Sequence, residues 1–241
     1  AGGRAEIERA LDSIRRAGVA NFGIDLIQGI QSGDVFRKDL ESAVEAAPSH
    51  ISVYLLSLTP GTRLSDMARS GSFREQGDDE CEELFILTGE FLGKHGYRRY
   101  EISNYAPSGR ESRHNARYWS GGDYLGVGLG AVSTIGARRT TNARSLEEYC
   151  RMVERGMAPV AEIEALSAAQ RTRERVMLAL RTAEGIGRES LELLAGAGGR
   201  GALDPILRML ERNGYILPDR DRLILTPRGL FRSNAVVAEL W

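Results

Sequence analysis

Cysteine is scarce: Cys81 and Cys150 are the only two in 241 residues, and each stands alone. That excludes a disulfide framework and a CxxC metal site, and it fits a reducing cytoplasm. No apolar run approaches the ~20 residues needed to span a bilayer, so no integral membrane segment is read. The first residues also lack a charged stretch followed by a hydrophobic core, so no export signal is read either. An excess of one charge is missing too, since 32 Lys and Arg stand against 33 Asp and Glu for a formal net charge of −1. Without a basic field there is nothing general to hold nucleic-acid phosphates or an anionic membrane, and any anion site must be local.

What is present is a chain with 27% charged residues and recurring aliphatic runs, typical of a folded domain. Its length suits one large or two modest domains. It opens on Ala1 and passes directly into a helical pattern at Ile7, Ala10, Leu11 and Ile14, which reads as a cut end. Residues 4–58 alternate helix and strand: a helix ending near Gly18, a strand over 22–27, a helix bearing Phe36, Leu40, Ala43 and Ala47 and closed by Pro48, and a strand over 51–58. Such alternation predicts parallel strands. Two strands and two helices neither cover a parallel sheet nor close it, so more of this domain is expected upstream, with an exposed strand edge and a tendency to associate. Dimerisation is left open by the sequence.

A helix is predicted over 78–94, stopped by Gly96, and another carries Leu146, Tyr149, Cys150 and Val153. Met157-Ala158-Pro159 reads as a linker, with a boundary near 165. The remainder reads as helices over 173–183, 188–195 and 203–213, a hairpin around 219–221 and a last helix after Pro227. Three helices with a hairpin suggest a winged-helix-like module. Its third helix offers Arg208 and Arg212, but Asp204 and Glu211 offset them, so packing or a lid is favoured over DNA reading.

Several residues carry candidate chemistry. In the strand Phe22-Gly23-Ile24-Asp25-Leu26-Ile27, alternation puts Ile24 and Leu26 on one face and Asp25 on the other, where a carboxylate needs a partner. A ligand ribose or ammonium would serve, and so would an upstream Arg or Lys. Tyr100-Glu101-Ile102-Ser103-Asn104-Tyr105-Ala106 and Arg113-His114-Asn115-Ala116-Arg117-Tyr118-Trp119 are dense in polar and aromatic groups. If 113–119 is helical, His114 and Tyr118 share one face and Asn115 and Trp119 the next. A neutral imidazole beside an aromatic wall suits an axial ligand to heme iron, and Arg110, Arg113 and Arg117 suit porphyrin propionates. The alternative is a histidine packed under Trp119 beside a solvated arginine face. The glycines at 121, 122, 126, 128 and 130 are a weak match to dinucleotide fingerprints and open no phosphate-binding helix, so no Rossmann loop is read. They admit either backbone contact with a planar ligand or a tightly packed strand end.

The motif order is Ile24-Asp25-Leu26-Ile27, Ile51-Ser52-Val53-Tyr54, Thr59-Pro60-Gly61-Thr62, Tyr100 to Tyr105, His114-Asn115 with Tyr118-Trp119, Asp123-Tyr124-Leu125-Gly126, and Leu225-Thr226-Pro227-Arg228-Gly229. It resembles the oxygen-independent coproporphyrinogen III oxidase-like group of radical S-adenosylmethionine (SAM) proteins, from residue 4 to 241, and within that group the heme-chaperone branch. His114, Asn115, Tyr118 and Trp119 carry the distinction, because an HNxxYW pattern marks that branch. The resemblance implies an α/β fold: the C-terminal part of a partial (β/α)6 radical SAM barrel in 1–60, a post-barrel extension in 61–165, and a mostly helical winged-helix-like domain in 166–241. It implies heme contact at His114, Asn115, Tyr118 and Trp119, with His114 the candidate iron ligand. S-adenosyl-L-methionine contact is implied at Asp25, Ser57 and Val132.

The group's CxxxCxxC motif for a [4Fe-4S] cluster has no counterpart here, so this chain alone is expected to be inactive in radical chemistry. The implied role of the complete cytoplasmic protein is binding heme and transferring it to recipient hemoproteins, with no nucleic-acid partner. The alternative implied by the same group is oxidative decarboxylation of coproporphyrinogen III. Two departures stand out: Ser112 occupies a position where many relatives have cysteine, and Ile30-Gln31-Ser32-Gly33 replaces the usual Leu-Pro-Gly-Gln turn.

Overall fold

A computed structural model describes residues 3–187, 189–191, 199–217, 219 and 221–240. The chain divides into two compact units, one of Ala1–Ser112 with Thr226–Arg232, the other of Arg113–Leu225 with Ser233–Trp241.

The first unit begins with α1 (Arg4–Arg16), β1 (Gly23–Gln28), α2 (Gly33–Glu45) and β2 (His50–Leu55). It continues through α3 (Arg63–Arg69), α4 (Asp78–Lys94), β3 (Arg98–Arg99) and β4 (Asn104–Ala106). The strands form one sheet in the order β1-β2-β4-β3. β1 and β2 are parallel, with Gly23 opposite His50 and Gln28 opposite Leu55, as the helix–strand alternation predicts. β4 runs antiparallel to β2 and β3. One sheet face meets α2 and α4 through a core of Phe36, Leu40, Ala43, Ile51, Val53, Leu84, Leu92, Tyr97 and Tyr105, with Ile24 and Leu26 packed against it. Leu40, Ile51 and Leu92 are wholly buried, each stabilising the fold by about 1.5–3 kcal/mol relative to exposure.

The strand expected over 51–58 stops at Leu55. Its partner turns away at Gly29, whose φ of 95° is open to glycine, and the Leu56 amide takes the last β1 carbonyl, that of Gln28. The 78–94 helix stands where its periodicity predicts. Its first turn is fixed by Glu80, whose carboxylate accepts from the Gly77 amide at 3.0 Å and from Arg74 at 2.9 Å.

The second unit holds α5 (Arg113–Trp119), β5 (Val132–Ile135), β6 (Arg138–Asn142), α6 (Leu146–Glu154), β7 (Val160–Ala165) and α7 (Ala168–Ala179). β8 (Ile186–Gly187), α8 (Gly199–Arg212) and β9 (Arg222–Leu223) follow. The chain then contributes α9 (Pro227–Phe231) to the first unit and ends in α10 (Ser233–Glu239). β5, β6 and β7 form an antiparallel sheet in that order. The 157–159 segment, read as a linker, leads straight into its third strand, and the Pro159 carbonyl accepts from the Ala143 amide at 2.8 Å.

α7 starts five residues before the expected 173, because Ser167 and Gln170 form a reciprocal cap at its N-terminus. α8 begins earlier than the expected 203 and carries Pro205 inside. The single helix expected after Pro227 is two, parted at Arg232. Most of the helix expected over 188–195 lies outside the described residues. Of the 219–221 turn, Asp219 and Asp221 are described, and the Asp219 carboxylate accepts from the amides of Asp221 and Arg222 at 2.8 Å each. Among the described residues no helix is long and apolar enough to cross a membrane.

Candidate functional site

In the first unit the candidate residues lie on the sheet face opposite the core. Asp25, Ser52 and Asn104 are register partners across β1, β2 and β4, so their side chains share that face in one row. Asp25 is exposed on it, while Ser52 and Asn104 are buried. Ser57 is exposed just past the carboxyl end of β2. His50 starts β2, and its Nε2 lies 2.8 Å from the Tyr100 hydroxyl. Burial lowers the His50 pKa, and the nearby Asp25 carboxylate opposes that shift.

Sequence reasoning noted the Tyr100–Ala106 stretch without assigning roles inside it. Glu101 is only 1% exposed, and one carboxylate oxygen accepts from the Ser103 amide at 3.2 Å. Its other oxygen, and the side-chain oxygen of Asn104, are buried without a partner among the described residues. Burial pushes the Glu101 carboxyl up from its ordinary range, against the Ser103 hydrogen bond that pulls it down.

In the second unit α5 presents the HNxxYW residues. His114 and Tyr118 lie one turn apart, ring centroids 4.9 Å apart and edge-on at 74°. Tyr118 continues onto Tyr124 at 4.5 Å, so the three rings form one aromatic strip. His114 and Tyr118 are exposed, and Asn115 and Trp119 are half-buried. Of the arginines, Arg117 is engaged with the Asp123 carbonyl at 3.2 Å, whereas Arg110 and Arg113 are exposed, Arg110 in the first unit and Arg113 in the second.

Val132 opens β5 and is half-buried. The glycine segment before it reads as close packing at one point: a side chain at Gly126 would run into the Val132 carbonyl, and the Gly126 amide donates to Ser133 Oγ at 3.0 Å. The helical face shared by His114 and Tyr118 is as the spacing predicts. Cys81 is half-buried in the first unit and Cys150 exposed in the second, and no cluster of three metal-ligating side chains occurs among the described residues. Two lone thiols do not fit a [4Fe-4S] cluster, which takes several cysteines grouped together.

Comparison with known proteins bears on this arrangement. Residues 166–232 match the HemN C-terminal domain family. A Mycobacterium tuberculosis protein named heme chaperone HemW is 33% identical over 227 residues, covering 92% of this chain and 56% of that protein. A Bacillus subtilis protein of the same name is 27% identical over 235 residues, covering 96% of this chain and 62% of that one. The chain thus spans little more than half the length of these curated relatives. Among solved structures, coproporphyrinogen III oxidase (HemN) from Escherichia coli, described as a radical SAM enzyme, matches the whole chain at a TM-score of 0.74 and 18% identity, over 59% of its own length. At that identity the likeness concerns the fold.

Proposed function

The chain belongs to the oxygen-independent coproporphyrinogen III oxidase-like group that HemN and heme chaperone HemW represent, and from that premise we propose that the complete protein binds heme and hands it to recipient hemoproteins. One observation carries the reading: the exposed His114 imidazole stands edge-on to Tyr118 at the start of the His114–Tyr118–Tyr124 strip. An imidazole with an open nitrogen is a good ligand for heme iron, and an aromatic strip beside it offers a surface for the flat ring. Asn115 and Trp119 complete the contact, and the exposed Arg113 suits a propionate.

In the same reading residues 1–60 are the end of a partial (β/α)6 barrel, 61–165 a post-barrel extension, and 166–241 a winged-helix-like domain. Asp25 and Ser57 of the first unit would meet S-adenosylmethionine, whose radical chemistry requires a cluster that this chain's two cysteines do not hold. The exposed Asp25 carboxylate suits an ammonium or ribose hydroxyl. The setting is cytoplasmic and without nucleic acid. The likeness in fold to the E. coli oxidase supports a second reading, coproporphyrinogen decarboxylation, which would need the same cluster.

The test is a heme titration followed by absorbance, for this chain and for His114→Ala, under reducing and oxidising conditions. A saturable spectral shift that the variant weakens at least tenfold is expected. Equal binding by both proteins would remove His114 from the iron.

A further inference from the structure

The second unit contains a cavity of about 470 Å3 that the heme reading does not use. Its floor is one face of the β5-β6-β7 sheet, where Ser133 lies opposite Thr140 and Ile135 opposite Arg138. Leu125 and Val127, from the segment before β5, and Tyr149 of α6 form its walls. Leu125 is 72% exposed, Val127 82% and Ile135 57%, so the apolar lining stands open to water. Apolar side chains gathered in a concavity of this size, with a few convergent polar groups, form a ligand site more readily than an ordinary surface.

The polar groups separate into two sets. Ser133 Oγ accepts from the Gly126 amide at 3.0 Å, and Asn142 donates to the Gly128 carbonyl at 2.9 Å, so both serve the fold. Arg138, Thr140 and Tyr149 have no side-chain hydrogen bond or ion pair among the described residues. Arg139 does not neutralise the set. Alternation turns it to the other sheet face, where it pairs with Glu164 at 3.3 Å and Glu174 at 2.8 Å. The cavity therefore offers hydrocarbon walls, two hydroxyls that can donate and one uncompensated guanidinium. A guanidinium fork fits a carboxylate, and its donors admit no cation.

We propose that this cavity binds an apolar carboxylate, its anionic end on Arg138 with Thr140 and Tyr149 nearby, its hydrocarbon against Leu125, Val127 and Ile135. The proposal is independent of heme binding at His114.

Calorimetric titration of the chain with 1-naphthoate and with the neutral 1-naphthalenemethanol tests it. Naphthoate should saturate one site and bind about three- to tenfold more tightly than the alcohol, the range open to an ion pair at a water-exposed rim. Arg138→Gln should bind the two equally, and Arg138→Glu should prefer 1-naphthylmethylamine. Both substitutions sit on an exposed side chain, and circular dichroism verifies that they fold. His114→Ala should leave naphthoate binding unchanged, which separates failure here from failure of the heme reading. Absence of saturable naphthoate binding, equal affinity for the alcohol, or a preference that survives in Arg138→Gln each overturns the proposal.

Discussion

Arg232 Nε lies 3.0 Å from a carboxylate oxygen of Glu82, joining positions 150 apart within the first unit. Arg228 Nε approaches the other oxygen of the same carboxylate at 3.1 Å. The Glu82 side chain is only 13% exposed, so this anion holds α9 to α4 from a partly dehydrated position, beside a Phe85–Phe231 contact at 5.7 Å.

Glu82→Gln should therefore lower the stability of the first unit by about 1–2 kcal/mol, because it leaves two arginines facing a neutral group. Asp79, whose side chain is fully exposed in its 3.9 Å approach to Arg232, should tolerate Asp79→Asn without measurable change. Urea unfolding of both variants checks this, and equal midpoints for the two would refute it.

The raised pKa of Glu101 has a defined sign. The folded state holds that proton more tightly than the unfolded chain, so the group's contribution is complete below the ordinary value of 4.5 and is lost as pH rises through the folded value. Glu101→Gln removes that loss, and the variant should be the more stable protein at pH 8 and lose its advantage toward pH 4. Parallel stability–pH curves for the two proteins would show that burial leaves Glu101 unaffected.

Gly126→Ala should destabilise the second unit by about 1–3 kcal/mol, since the new methyl meets the Val132 carbonyl of a paired strand rather than a flexible side chain. Thermal melts of the variant should show the loss, and an unchanged melting temperature would mean that the segment yields.

β1 forms one edge of its sheet, and Ile27 on it is 48% exposed, with Tyr54 at 43% and Leu55 at 44% on the neighbouring strand. An edge of this kind pairs with other chains. Light scattering should show association that grows with protein concentration and that Ile27→Lys suppresses. A strictly monomeric wild type would contradict this.

The parallel β1-α2-β2 crossover was legible because its apolar residues are local and periodic, and the His114–Tyr118 face because four residues make one helical turn. The β5-β6-β7 sheet was not, because β6 reads Arg138-Arg139-Thr140-Thr141-Asn142 and shows no apolar alternation. Its strand character comes from pairing with both neighbours, which local sequence does not encode. The Arg138, Thr140 and Tyr149 set was hidden for the same reason, being assembled across a strand and a separate helix. α7 could have been placed correctly, since Ser167-x-x-Gln170 is a visible capping signal. Glu101 and Asn104 stood inside a recognised stretch, but burial is what makes them unusual, and burial was unreadable there.

The placement of α9 gives the first unit a timetable. Glu82 leaves the ribosome long before Arg228 and Arg232 exist, and at about 5–20 residues per second the interval is on the order of ten seconds. Throughout that time the acidic flank of α4 stands uncovered while Arg113–Leu225 of the second unit is being made. Folding of the nascent chain is thus interlaced rather than sequential: the unit that starts first finishes only after most of the other has emerged, and the other waits in turn for Ser233–Trp241.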